Sequence, residues 1–136
     1  MPSIKQVRLR WREGLRFEGA GASGAAITID GDNAAGPGPM EALLLALAAC
    51  TGSDVAAIFK KKRIALRNFA VDVEGDRREA LPQRYVAIRL VYRIAGDGVT
   101  EAAARQAIDL SLTKYCSVTH SLNPDIPVTY ALDLAT

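Results

Sequence analysis

The stretch GPMEALLLALAACTGSD, residues 38–54, limits what this chain can become more than any other part of it. Pro39 suits a first helical position, and Glu41 faces the positive end of the helix dipole. Leu43, Leu44, Leu45 and Leu47, with the alanines between them, then cover the whole circumference of a helix. A helix that is apolar all round has to be buried on every side. Lys60, Lys61, Lys62 and Arg63 complement the far end of the dipole, so the spacing predicts one helix over 39–63, ~37 Å long at ~1.5 Å per residue. Gly52 falls inside it and predicts a kink, or a restart with Ser53 as a cap. A chain of 136 residues is the size of one domain and has little material to wrap such a helix. The expectation is a helix at the middle of an assembly, with a second chain supplying the missing cover.

The rest of the chain reads mostly as strands. In IKQVRLRW, Val7, Leu9 and Trp11 face one way while Arg8, Arg10 and Arg12 face the other, the period of a half-buried strand. The turn EG, 13–14, with Gly14 able to take a positive φ, returns the chain into LRFEG, with Leu15 and Phe17 inward. AAITID, 25–30, is a third strand, and GDNAAGPGP, 31–39, is a loop by composition. FAVDVEG, 69–75, and QRYVAIRLVYRI, 83–94, have strand periodicity. Thr100 caps a helix expected to reach about Lys114, burying Ala103, Ala104, Ala107, Ile108, Leu112 and Tyr115. SVTHSL is a short helical candidate, and IPVTYALDL, 126–134, is a last strand with Ile126, Val128, Tyr130, Leu132 and Leu134 on one face. The order β-β-β-α-β-β-α-β predicts a single α+β domain over 1–136, with a mostly antiparallel sheet around a long buried helix.

Composition narrows the chemistry. A net charge of +2 is too mild to argue for nucleic acid, and Trp11 and Phe17 lie opposite the arginines, so no aromatic platform interleaves with them. No nucleic-acid partner is expected. The N-terminus has no apolar signal-peptide core, and no uninterrupted apolar run reaches ~18 residues, so neither export nor a membrane span is expected. Two cysteines in such a chain suggest a cytoplasmic protein with reduced or cycling thiols. His120 is the one histidine, which argues against a histidine-rich metal site or a serine–histidine triad. No metal or cofactor is expected, and His120 reads as a loop or cap residue.

The cysteines are Cys50, within the apolar helix, and Cys116, in KYCSVTH. A cysteine that acts as a nucleophile must be a thiolate, which an ordinary thiol with a pKa of ~8.5 mostly is not at neutral pH. Burial raises that value, and Asp54, one turn after Cys50 on the same face, opposes ionisation as well. Cys50 would need a cation from another element, and Arg8, Arg10, Arg12 and Arg16 of the first hairpin are the candidates. Cys116 precedes SVTH and would sit at a helix N-terminus, where the dipole favours thiolate. Each residue also has a purely structural reading. The cysteines would fill space in a core, the arginines and the KKKR run would be solvated, and Glu41 would only start a helix.

GPGPMEALLLALAACTGSDV, then KKKR, then KYCSV before a final strand, resembles the OsmC/Ohr family of osmotically induced and organic-hydroperoxide-resistance proteins. The likeness runs over nearly the whole chain. It implies an intertwined homodimer with the long helices at its centre. By matching motif, Cys50 would attack the peroxide and Cys116 would resolve it as a disulfide. Arg16 would pair with the thiol and with Glu41, and a dithiol reductant, of the lipoyl type, would restore the thiols. Here Met40 follows the loop proline, and Glu41 lies nine residues before the cysteine rather than ten, which marks a PME…LAAC branch. Two function classes stay open: a dithiol peroxidase acting on organic hydroperoxides, and a non-catalytic dimeric protein that binds an apolar or thiol-bearing small molecule.

Overall fold

A computed structural model describes residues 3–135, as two compact units divided after Leu43. In the first unit, β1 (Arg8–Glu13), β2 (Arg16–Ala20) and β3 (Ala26–Asp30) form an antiparallel sheet in that order. Gly14 turns β1 into β2 at φ +52°, the left-handed conformation expected of it. Cross-strand pairs put Trp11 opposite Phe17 and Leu9 opposite Gly19. Asp30 is buried at the end of β3, and its carboxylate accepts the backbone N–H groups of Asp32 and Ala35, each at 2.9 Å. Those bonds hold its carboxyl below the usual range. They also fold the loop that leads to α1 (Pro39–Lys61).

In the second unit, β4 (Ala65–Arg77), β5 (Tyr85–Asp97) and β6 (Val128–Ala135) make a sheet with β5 in the centre. β4 and β5 are antiparallel, but β5 and β6 run parallel. The expected mostly antiparallel arrangement is found: among the described residues three strand pairings are antiparallel, and this last one is parallel. The chain leaves β5 through α2 (Glu101–Leu110) and α3 (Ser117–Ser121), and such a helical crossover brings the next strand back in parallel. Alternate residues of β5 (Ile88, Leu90, Tyr92 and Ile94) are buried. Their outward neighbours form ion pairs across the strands: Arg89 with Glu74 and Asp76, and Arg93 with Asp72 and Asp133. Exposed pairs of this kind contribute at most ~1 kcal/mol each, so the core is built by the apolar face. α1 lays Leu47, Thr51, Val55 and Phe59 into that core, four residues apart on one stripe, and α2 adds Ala104, Ala107 and Ile108.

Two expectations about helices need correction. α1 does not break at Gly52, and Ser53, instead of capping a restart, bonds back to the Ala49 carbonyl at 2.7 Å. Within one chain α1 is buried along a single stripe, as expected of a helix whose remaining cover would come from a second chain. Leu45 is 57% exposed, and on the first sheet Leu9 and Trp11 are 54% and 65% exposed. By length and composition α1 is also apolar enough to cross a membrane, with mean hydropathy 1.9, although no uninterrupted apolar run signals it. Its buried Thr51 is instead bonded to Tyr92 of the second sheet. Finally, α2 ends at Leu110 and gives way to a π-helical turn, Ser111–Tyr115. The wider turn changes the helical phase, and Tyr115, expected to be buried, is half exposed.

Candidate functional site

Cys50 and Asp54 stand one turn apart on the same face of α1, the i, i+4 relation that makes helix residues neighbours. Cys116 comes from the far side of the sequence, and the π turn delivers it. The Cys116 N–H bonds the Ser111 carbonyl five residues back at 2.7 Å, after which the backbone turns extended at Cys116. One sulfur from each cysteine and a carboxylate oxygen of Asp54 all lie within 4.8 Å of one another. Both thiols are free, Cys50 half-buried and Cys116 fully buried. A disulfide would bring the two sulfurs to ~2.05 Å.

The carboxylate is held by a run of buried hydroxyls. Ser111 Oγ donates to Asp54 Oδ2 at 2.9 Å. Thr51 Oγ1 lies 2.7 Å from Ser111 Oγ and 2.8 Å from the Tyr92 hydroxyl. An ionised carboxylate only accepts, and each hydroxyl has one proton to give. With the Ser111 proton directed to Asp54, Ser111 accepts from Thr51, and Thr51 accepts from Tyr92. The bonds therefore run one way, from Tyr92 through Thr51 and Ser111 to Asp54. Burial pushes the Tyr92 phenol up to about 12, which keeps that first proton in place at neutral pH. Thr51, Ser111 and Tyr92 were not foreseen as site residues. Thr51 and Ser111 are fully buried polar side chains, and such groups require partners. A threonine next to the cysteine of an apolar helix was the available signal.

Cys116 is the N-cap of α3, as its place before SVTH suggested, and its sulfur accepts the Thr119 N–H at 3.5 Å. Burial nevertheless dominates and pushes its thiol up, hydrogen bonds from Thr119 oppose that, and Cys50 adds to the rise. His120 reaches the Cys116 carbonyl with Nδ1 at 2.9 Å and the Thr113 carbonyl with Nε2 at 3.2 Å, the position of a local cap. Among the described residues no ion pair reaches Asp54, whose bond comes from a neutral hydroxyl. Arg16 and Glu41 belong to the first unit. There Arg16 bonds Glu13 at 3.3 Å, and Glu41 accepts the Gly38 N–H at 3.2 Å, a helix-start role. Among the described residues, Cys50, Asp54 and Cys116 also form a group whose donor atoms could hold a cation.

The model of the OsmC-like protein family matches residues 30–131, which include both thiols and the carboxylate. The chain belongs to the OsmC-like family. It is 36% identical over 130 residues to protein YhfA of Escherichia coli K12, covering 95% of this chain and 97% of that one. A hypothetical protein from Aquifex aeolicus has the same fold at 31% identity and a TM-score of 0.84, over 99% of this chain and all of that one. The organic hydroperoxide resistance protein OhrB of Bacillus subtilis shares the fold at 15% identity and a TM-score of 0.61, over 98% of each chain. The OsmC-like domain thus carries a thiol pair whose buried member resists ionisation. In a Cys50→Ser protein, the alkylation rate of Cys116 should keep rising with pH beyond the ordinary thiol value of ~8.5. A rate that levels off at or below that pH would contradict the burial argument.

Proposed function

We propose that this OsmC-like protein is a cytoplasmic, homodimeric peroxidase that reduces organic hydroperoxides with Cys50 and Cys116. The observation that carries this reading is the approach of the two sulfurs, from separate elements, to within 4.8 Å. Exposure assigns the roles. Cys50 is half-buried and can meet a substrate, whereas Cys116 is fully buried and its thiol is pushed up, which suits a resolving residue. The Cys50 thiolate attacks the outer peroxide oxygen, the O–O bond breaks, and the alcohol leaves with a proton. Cys50 is now a sulfenic acid. The Cys116 sulfur attacks it, water leaves, and the two thiols have together given two electrons to the peroxide; a dithiol reductant then reduces the disulfide and is itself oxidised. The fold shared with a hydroperoxide resistance protein supports this choice of substrate.

Thiolate formation at Cys50 calls for a cation, since Asp54 carries the opposite sign. We assign that task to Arg16, from the same chain or from the partner, with Glu41 holding it. Asp54 is also the observation that favours the second reading, a dimeric protein that binds a thiol-bearing or apolar small molecule without turnover. A second copy would cover Leu43 and Leu45 of α1 and the apolar face of the first sheet, where Val7, Leu9, Trp11 and Ile27 are exposed.

The Cys50→Ser protein should consume no hydroperoxide, and the Cys116→Ser protein should oxidise once at Cys50 and then stall. Unchanged steady-state turnover without Cys116 would refute the assigned roles. Sedimentation at micromolar concentration should give a dimer mass, and a stable folded monomer would refute the mutual cover.

A further inference from the structure

The charge around the thiol pair has the wrong sign for making thiolates and the right sign for holding a cation. Two thiols and a carboxylate converge within 4.8 Å, and the carboxylate's described partner is a neutral hydroxyl. Ionising either thiol beside Asp54 brings like charges together in a half-buried place. A divalent cation at the centre would reverse that cost, because it favours the deprotonated form of all three groups. We propose that the reduced protein binds one borderline-soft divalent cation, of the zinc type, through Cys50 Sγ, Cys116 Sγ and an oxygen of Asp54.

The donor set selects the metal. Thiolates disfavour magnesium and calcium, which take oxygen ligands, while one carboxylate beside two sulfurs suits zinc. Zinc takes sulfur at ~2.3 Å and carboxylate oxygen at ~2.0–2.2 Å. Ligands at those radii lie less than 4.8 Å apart, so the observed spacing needs little adjustment. Three protein ligands leave the fourth tetrahedral position open to water or to an external thiol. The surroundings are those of a supported ligand. Ser111 donates to Asp54 Oδ2 and is itself fixed by Thr51 and Tyr92, all three buried, which orients the carboxylate while leaving it lone pairs for a metal. Histidine-rich sets were the ones that the single histidine argued against, and this set needs none. A disulfide between Cys50 and Cys116 would remove two of the three ligands, so the cation and the oxidised state exclude each other.

The inference shares its residues with the proposed peroxidase but does not depend on turnover. The test uses the reduced full-length protein under anaerobic conditions, titrated with cobalt(II) and then with zinc(II) against a chromophoric chelator. One cobalt per chain should bind with a sulfur-to-cobalt charge-transfer band, and zinc should displace it. Cys50→Ser and Cys116→Ser should each abolish the band, Asp54→Asn should weaken binding at least about tenfold, and Ser111→Ala should weaken it about 10- to 100-fold. Circular dichroism of each variant separates loss of binding from loss of fold. Absence of the band in the folded, reduced wild-type protein overturns the proposal, as does unchanged affinity in folded Asp54→Asn. Hydroperoxide consumption by metal-free protein is measured separately. Turnover with no cobalt complex sinks the metal site alone, and a cobalt complex with no turnover sinks the peroxidase alone.

Discussion

The hydrogen bond from Ser111 to Asp54 joins the two halves of the candidate site. It ties the middle of α1 to the π turn that precedes Cys116. Thr51 makes the same connection a second time and extends it to Tyr92 at the centre of the sheet. Each of these hydroxyls is buried where water cannot replace a lost partner, so leaving one unmatched would cost about 1–3 kcal/mol. The consequence is a single arrangement of α1, the π turn and β5. Two sulfurs that start on distant stretches of sequence meet only in that arrangement.

This geometry sets the chemistry as well as the position. Asp54 accepts from Ser111, and a carboxylate beside two thiols opposes thiolate formation. The two proposals answer it with a cation, either a guanidinium brought to Cys50 or a metal held by all three groups. The two answers lead to different states of one site. A guanidinium favours a reactive thiolate, and a metal favours a closed, protected pair. Burial sorts the cysteines in both cases, with Cys50 the accessible sulfur and Cys116 the enclosed one.

Much of the fold was legible in the sequence. The alternation in β6, the glycine turn at Gly14, the start of α1 at Pro39 and the cap at Thr100 all follow from local rules, whereas β1, read as half-buried, is exposed on both faces within one chain. So does the shared face of Cys50 and Asp54, which is helix periodicity alone. What was not legible depends on contacts between distant residues. The parallel pairing of β6 with β5 is set by the crossover, and nothing in IPVTYALDL distinguishes it from an antiparallel strand. The π turn at Ser111–Tyr115 adjusts the chain to place Ser111 and Cys116 together, and KYC carries no signal for it. Thr51 and Tyr92 are 41 residues apart, so no local pattern could pair them. The leucines around α1 read as needing cover from a second chain, and one chain does bury only a single stripe of the helix.

The most direct test of the central claim, that Cys50 and Cys116 form one redox site, is peptide mapping by mass spectrometry. The reduced protein is treated anaerobically with one equivalent of an organic hydroperoxide, then alkylated and digested. The account predicts a linked pair of peptides containing Cys50 and Cys116, with no free thiol left to alkylate. Two alkylated cysteines, or a Cys50 oxidised to sulfinic acid beside an untouched Cys116, would contradict it.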